Sequence, residues 1–186
     1  YYFYLLQTCV IHNHIQSFYL LSFNNLFIIT STFDSLIMRF IILFSSLGGN
    51  IQEGFTIASV IQNSAIPIAI HANNNIDSIA NVIYLSSKER SAESYAKFYL
   101  HGATSPPIAY DVKGLKEQLL ALKTENARIA QFVSENSVLN FNKVQTMMKT
   151  GTTITAQQSL QYGIVQSISH REVPVGATME EILFVN

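Results

Sequence analysis

An α/β fold is predicted from three observations. Apolar runs of strand length alternate with stretches of helical periodicity, their junctions carry small or turn-forming residues, and one run is bounded as a strand buried on both faces would be. Phe40 to Phe44 is the first run. It drops through Ser45-Ser46-Leu47-Gly48-Gly49-Asn50 into a helical pattern from Ile51 to Gln62, where Phe55, Ala58, Ile61 and Gln62 fall at helical spacing before Asn63-Ser64 ends it. Ile66 to His71 is the second run, with Pro67 tolerated at its start, and it closes on Asn73-Asn74-Asn75. Ile79 to Leu85 again looks helical, which leaves Ser78 on a sharp strand-to-helix corner. Lys97 to Leu100 is a third, short run, and His101-Gly102 follow its end directly.

From Asp111 or Val112 to Asn136 the chain reads as one long helix, with Leu115, Leu119, Leu122, Ile129 and Phe132 apolar among charged residues. Val138 to Met148 predicts a shorter one, and Glu172 to Asn186, containing Pro174 and Gly176, reads as a loosely held tail. The first stretch differs. Residues 1–44 hold no glycine, their only ionised side chains are Asp34 and Arg39, and they match neither the ordered regions of a signal peptide nor the unbroken apolar length of a membrane helix. Tyr1 to Leu6 and Phe27 to Thr30 are strand candidates there. The expected organisation is an atypical, truncated or aberrant segment at 1–40, one α/β domain at 41–168 and a tail at 169–186.

A chain of 186 residues with 48% apolar content is long enough for a single core, and a net charge of −1 from 11 basic and 12 acidic residues offers no field for nucleic acid or anionic lipid. Cys9 is the lone cysteine, so no internal disulfide and no thiolate metal site is expected, and a reducing, cytoplasmic setting is the default. His12 and His14 share a strand face without a partnering acid. No metal and no cofactor is expected.

In a parallel sheet the carboxyl ends of the strands share one edge, so the Gly48-Gly49 turn, Ser78 and His101 can converge there. Acyl transfer needs that combination: a hydroxyl nucleophile, an imidazole to take its proton, and backbone N–H groups aimed at the oxyanion. Each residue also has a plain reading. Ser78 and Asp77 suit a helix N-cap, His101 suits a carbonyl-bonded structural histidine, and the two glycines suit a tight turn. Asp77, next to Ser78, is read as a capping group rather than a base.

The order of these features resembles the Clp-type serine peptidase family, the proteolytic subunits of ATP-dependent Clp proteases, over roughly residues 40–168. Ser46-Leu47-Gly48-Gly49 stands where that family has Ser-Pro-Gly-Gly, Asp77-Ser78-Ile79-Ala80 where it has Ala-Ser-Met-Gly, and Leu100-His101-Gly102 where it has Ile-His-Gln, with 101 − 78 = 23 residues from serine to histidine. Thr155-Ala156-Gln157-Gln158-Ser159-Leu160-Gln161-Tyr162-Gly163-Ile164-Val165 looks like its Ser-Ala-x-x-Ala-x-x-Tyr-Gly-Leu-Val segment. The resemblance implies a Clp/crotonase-like fold of repeated ββα units with a long handle-type helix. It implies a serine endopeptidase acting on peptides or unfolded protein, with Ser78 as nucleophile, His101 as base and the N–H groups of Gly49 and Ile79 as oxyanion hole. Homo-oligomeric rings and a Clp-type ATPase partner are implied with it.

Two departures stand out. Ser105-Pro106-Pro107 replaces the family's glycine-rich entry to the handle, and Gly151 occupies the position of the third catalytic residue, an aspartate in the family. Substitutes for it are Thr150 and Thr152 on position, or Glu135, Asn136 and Asn140 at the far end of the long helix. The alternatives are a catalytically silent subunit of a mixed ring and a crotonase-type acyl-CoA enzyme. A Ser-Lys pair using Lys113 or Lys116 is disfavoured by their place on the long helix, and that helix reads equally well as a cap on its own sheet.

Overall fold

In this computed structural model residues 7–8, 17–18, 26–31, 39–106, 111–172 and 178–182 are described. Strands β1 (Gln7–Thr8) and β2 (Ser17–Phe18) pair antiparallel with each other. The main sheet begins with β3 (Leu26–Ser31), antiparallel to β4 (Arg39–Ser46), whose Phe40-Ile41-Ile42-Leu43-Phe44 are residue types that suit a pleated, buried surface. Helix α1 (Ile51–Gln62) follows across the glycine turn and makes β3, β4 and α1 a ββα unit. Asn50 starts it, its side chain accepting from the N–H groups of Gln52 at 2.9 Å and Glu53 at 3.2 Å.

Strand β5 (Ile68–Asp77) is parallel to β4 and longer than the sequence suggests. Asn73-Asn74-Asn75, expected to form a turn, lies within it. The reason is tertiary: the first part of β5 pairs with β6 (Glu89–Ala92) through residues 69–72, and its end pairs with β7 (Lys97–Leu100) through residues 75–77. A second ladder thus takes up the end of the run, with Asn75 opposite Lys97, and overrides the turn preference of the asparagines. Between β5 and β6 runs α2 (Ala80–Ser86), every residue of it buried.

The long helix is α3 (Val112–Glu135), capped by Asp111, whose carboxylate accepts from Gly114 N–H at 2.7 Å. It is followed by α4 (Phe141–Thr150), β8 (Thr152–Thr155), α5 (Ala156–Gln161), β9 (Ser167–Ile168) and β10 (Thr178–Ile182). The sheet order is β10-β3-β4-β5-β6-β9, with β7 held between β5 and β8. The expected C-terminal tail therefore contributes a strand, β10, against β3. The Phe27 to Thr30 candidate is part of β3, whereas the Tyr1 to Leu6 candidate, Cys9, His12 and His14 lie outside the described residues.

Phe44, Ile70, Ile76, Ile79, Phe98 and Leu100 form the centre of the core between sheet and helices. Each such side chain contributes about 1.5–3 kcal/mol of transfer free energy when fully buried. Their strands end at one edge, and the candidate site lies there.

Candidate active site

Ser78 ends β5 with φ of +59°, the only positive φ at a non-glycine position among the described residues. For an L-residue this left-handed conformation is strained by roughly 1–3 kcal/mol and persists only where the surroundings over-determine it. They do so here. Ser78 N–H donates to the Tyr99 carbonyl at 2.9 Å, which ties the corner to the end of β7. Asn81 Nδ2 lies 3.1 Å from the Ile76 carbonyl, 3.1 Å from that of Ser78 and 3.0 Å from that of Tyr99, so one buried amide gathers three carbonyls around the bend. The N-cap of α2 is Ile79 and receives no side-chain bond, so neither Ser78 nor Asp77 serves as the capping group their types suggested.

The glycine turn reaches this corner. Gly48 has φ of +94°, and a Cβ built on it would stand 2.6 Å from Ser78 Cβ and 3.2 Å from Ser78 Oγ, so only glycine permits the approach. Its own N–H is taken by Ser46 Oγ at 3.1 Å, whereas the N–H groups of Gly49 and Ile79 donate to no group among the described residues. An irregularity in the β4–β5 register between Phe44 and Ser46 re-aims the chain just ahead of the turn. Gly54 on α1 serves the same corner: a Cβ there would lie 2.3 Å from Ile79 Cγ1, so its absence lets α1 close on the residue after Ser78.

His101 follows β7 at the same edge. Its Nδ1–H donates to the Gly102 carbonyl at 2.7 Å, and its ring stacks on Tyr99 with centroids 5.0 Å apart and planes 25° from parallel. Tyr99 pairs in register with Asp77, the residue before Ser78, which sets the histidine beside the corner. Burial pushes the Asp77 carboxyl upward, against the pull of the His101 and Lys97 charges. Ser78 and His101 are not hydrogen-bonded to each other.

Gly151 adopts the left-handed conformation that terminates α4, with φ of +65°. A Cβ there would lie 2.9 Å from the Tyr99 hydroxyl, so Tyr99 fills the space beside it. The proposed substitutes are engaged elsewhere. Thr150 Oγ1 donates to the Thr146 carbonyl and meets Thr152 Oγ1, and Thr152 Oγ1 donates to the Met147 carbonyl. Glu135 accepts from Gln131, Asn136 donates to the Phe132 carbonyl, and Asn140 caps α4. Lys113 pairs with Glu117 on the exposed face of α3, and Lys116 is likewise exposed there.

Sequence reasoning missed Asn81, Gly54, Tyr99 and Asn126. The last accepts from Ala103 N–H at 2.7 Å and so anchors the strand exit after His101 to α3. Asn81 had a signal, a lone amide in the apolar run Ile79-Ala80-Asn81-Val82-Ile83; the others had none, because their roles depend on contacts far apart in sequence. Among the described residues no group of three His, Cys, Asp or Glu side chains is placed to hold a metal ion, and no helix is long and apolar enough to cross a membrane.

A family model described as Clp protease matches residues 23–172. The solved structure of a ClpP1 point mutant from Listeria monocytogenes is similar in fold, with a TM-score of 0.65 at 16% identity, over 72% of this chain and 74% of that one. No curated protein matches.

Proposed function

Since the chain belongs to the Clp protease family and has its Clp/crotonase-like fold, we propose that it is a serine peptidase that cleaves peptide bonds through an acyl-enzyme on Ser78. The observation that carries this reading is the strained Ser78 at φ +59°, packed against Gly48 at the end of β5. A bend of that kind lifts a hydroxyl clear of its own helix and turns the next N–H toward the same side, the reason strand-to-helix elbows serve as nucleophile positions on other folds.

In the mechanism His101 Nε2 takes the Ser78 proton as Oγ attacks the substrate carbonyl, and later returns it to the leaving amine. The N–H groups of Gly49 and Ile79, free of intramolecular acceptors among the described residues, stabilise the tetrahedral oxyanion. Peptides or unfolded protein are the substrate class and a homo-oligomeric ring the working form, with a Clp-type ATPase as partner.

A fluorophosphonate probe tests the reading directly. The intact protein is expected to be labelled at Ser78, and Ser78→Ala and His101→Ala are expected to lose labelling while keeping their fold. Equal labelling of all three would sink the proposal. The second reading, a catalytically silent subunit of a mixed ring, is favoured by one observation: position 151 holds no carboxylate and its surroundings are filled by Tyr99. An intact chain that takes up no probe, but assembles with an active relative, would establish it instead.

A further inference from the structure

A serine–histidine pair needs something to hold the imidazole in the tautomer that leaves Nε2 free to accept a proton, and at position 151 this chain has no side chain to do it. Two other groups meet the ring. A carbonyl oxygen can only accept, so the 2.7 Å contact from His101 Nδ1 to the Gly102 carbonyl places the hydrogen on Nδ1. That carbonyl is itself steadied, because the next N–H, of Ala103, donates to Asn126 of α3 at 2.7 Å. On its flat side the imidazole lies on the Tyr99 ring at 5.0 Å. Tyr99 is fixed in turn, since its backbone pairs with Asp77 on one side and Thr153 on the other, and its hydroxyl occupies the space where a side chain at 151 would begin.

We propose that in this chain the Gly102 carbonyl and the Tyr99 ring together take over the orienting role of the missing carboxylate, which makes Tyr99 a positioning residue for His101. The carbonyl sets the tautomer and the ring sets the plane; neither touches substrate. This rests on the peptidase reading above for its purpose, though not for its geometry. A carbonyl carries no full charge, so it orients the imidazole but steadies the imidazolium less than a carboxylate does, and a slow enzyme is the consequence.

Nitrogen-15 NMR of His101 in the folded, full-length chain reads the tautomer without any need for activity. The deprotonated ring is expected as the Nδ1–H form in the unmodified protein and in Tyr99→Phe, which keeps the stack. Tyr99→Leu, or Tyr99→Met should the leucine variant not fold, is expected to give a mixture of tautomers and a fall in probe labelling of roughly ten-fold or more, part of the ~10⁴ seen when a triad aspartate is lost. Tyr99→Phe should recover most of that labelling. Gly151→Asp alone is expected to lower the melting temperature and bring no gain, and Tyr99→Phe with Gly151→Asp, which removes the 2.9 Å obstruction, to fold better than Gly151→Asp alone. An Nε2–H ring in the unmodified protein overturns the proposal, as does a Gly151→Asp chain that folds unchanged and labels about ten-fold faster, the gain a restored carboxylate would bring. An Nδ1–H ring that Tyr99→Leu disturbs, in a protein the probe never labels, supports the positioning role and removes the peptidase reading instead.

Discussion

Ser78 and Asn81 divide one task. The serine holds an unfavourable φ because its N–H, its carbonyl and the carbonyls on either side of the bend are all gathered by Tyr99 and Asn81, so the hydroxyl is aimed by backbone bonds rather than by its own packing. Asn81→Leu leaves three carbonyls around a buried bend without that donor. The Ser78 and Tyr99 carbonyls keep backbone donors, so the cost is that of the lost amide bonds, about 0.5–1.5 kcal/mol each, and the variant is expected to lose stability of this order in urea unfolding, and to lose probe labelling of Ser78 beyond what the lower stability explains. Unchanged unfolding and labelling together would mean that the bend is held by the Ser78 to Tyr99 bond alone.

At the scale of elements, α3 is divided in its burial. Its C-terminal part is packed down by Ile129, Ala130 and Val133, with Phe132 edge-on to Phe55 at 5.7 Å and the Arg128 guanidinium 3.7 Å above the Phe55 ring. Its N-terminal part leaves Val112 71%, Leu115 57%, Leu119 54% and Leu120 66% exposed. A helix that merely capped its own sheet would turn those leucines inward, so the division favours the handle reading and a second copy of the chain as the partner. The purified protein is expected to scatter light as an assembly well above its 20.8 kDa monomer mass, and Leu115→Glu with Leu119→Glu to shift it toward the monomer without loss of helix content. A monomer at micromolar concentration before any substitution would remove the support for a ring.

For the molecule as a whole, the sheet carries a second polar cluster that the site does not use. His71 and Ser91 face each other in register on β5 and β6, with His71 Nδ1 2.8 Å from Ser91 Oγ and Nε2 3.3 Å from Glu93 Oε1. The same carboxylate oxygen meets His170 Nδ1 at 3.0 Å and accepts from Arg171 N–H at 3.3 Å, which ties the segment after β9 to the core. Burial lowers His71 below its ordinary value, outweighing the attraction of Glu93, with Arg171 and His170 lowering it further. Burial pushes Glu93 upward, but the Arg171 N–H and the two imidazoles outweigh it and hold the carboxyl below its ordinary value. Both shifts act with the same sign. A native histidine that resists protonation contributes stability that is full above about pH 6.5 and is lost as the pH falls below it, and the depressed Glu93 adds a further loss below about pH 4.5. Urea unfolding is expected to show stability declining from about pH 7 to pH 5, and His71→Gln to flatten that slope. A slope identical in the variant would assign the decline to other groups.

What the sequence determined by itself was the place of β4, α1, β7 and α3 along the chain. The apolar run Phe40 to Phe44, the short, largely apolar run Lys97 to Leu100, and the amphipathic run from Val112 are local patterns whose physics needs no partner, and the structure has each where the pattern puts it. Tertiary structure decided the rest. Asn73-Asn74-Asn75 became strand because β6 and β7 share β5 between them, and polar Glu89-Arg90-Ser91-Ala92 became strand because it pairs alongside. No spacing in the chain could reveal that Tyr99 fills the space beside Gly151, or that Gly54 exists to admit Ile79, since both are collisions between residues brought together only by the closed sheet. A periodicity reports which face of an element is apolar; which atoms meet across it is settled by packing, where a single Cβ decides what fits.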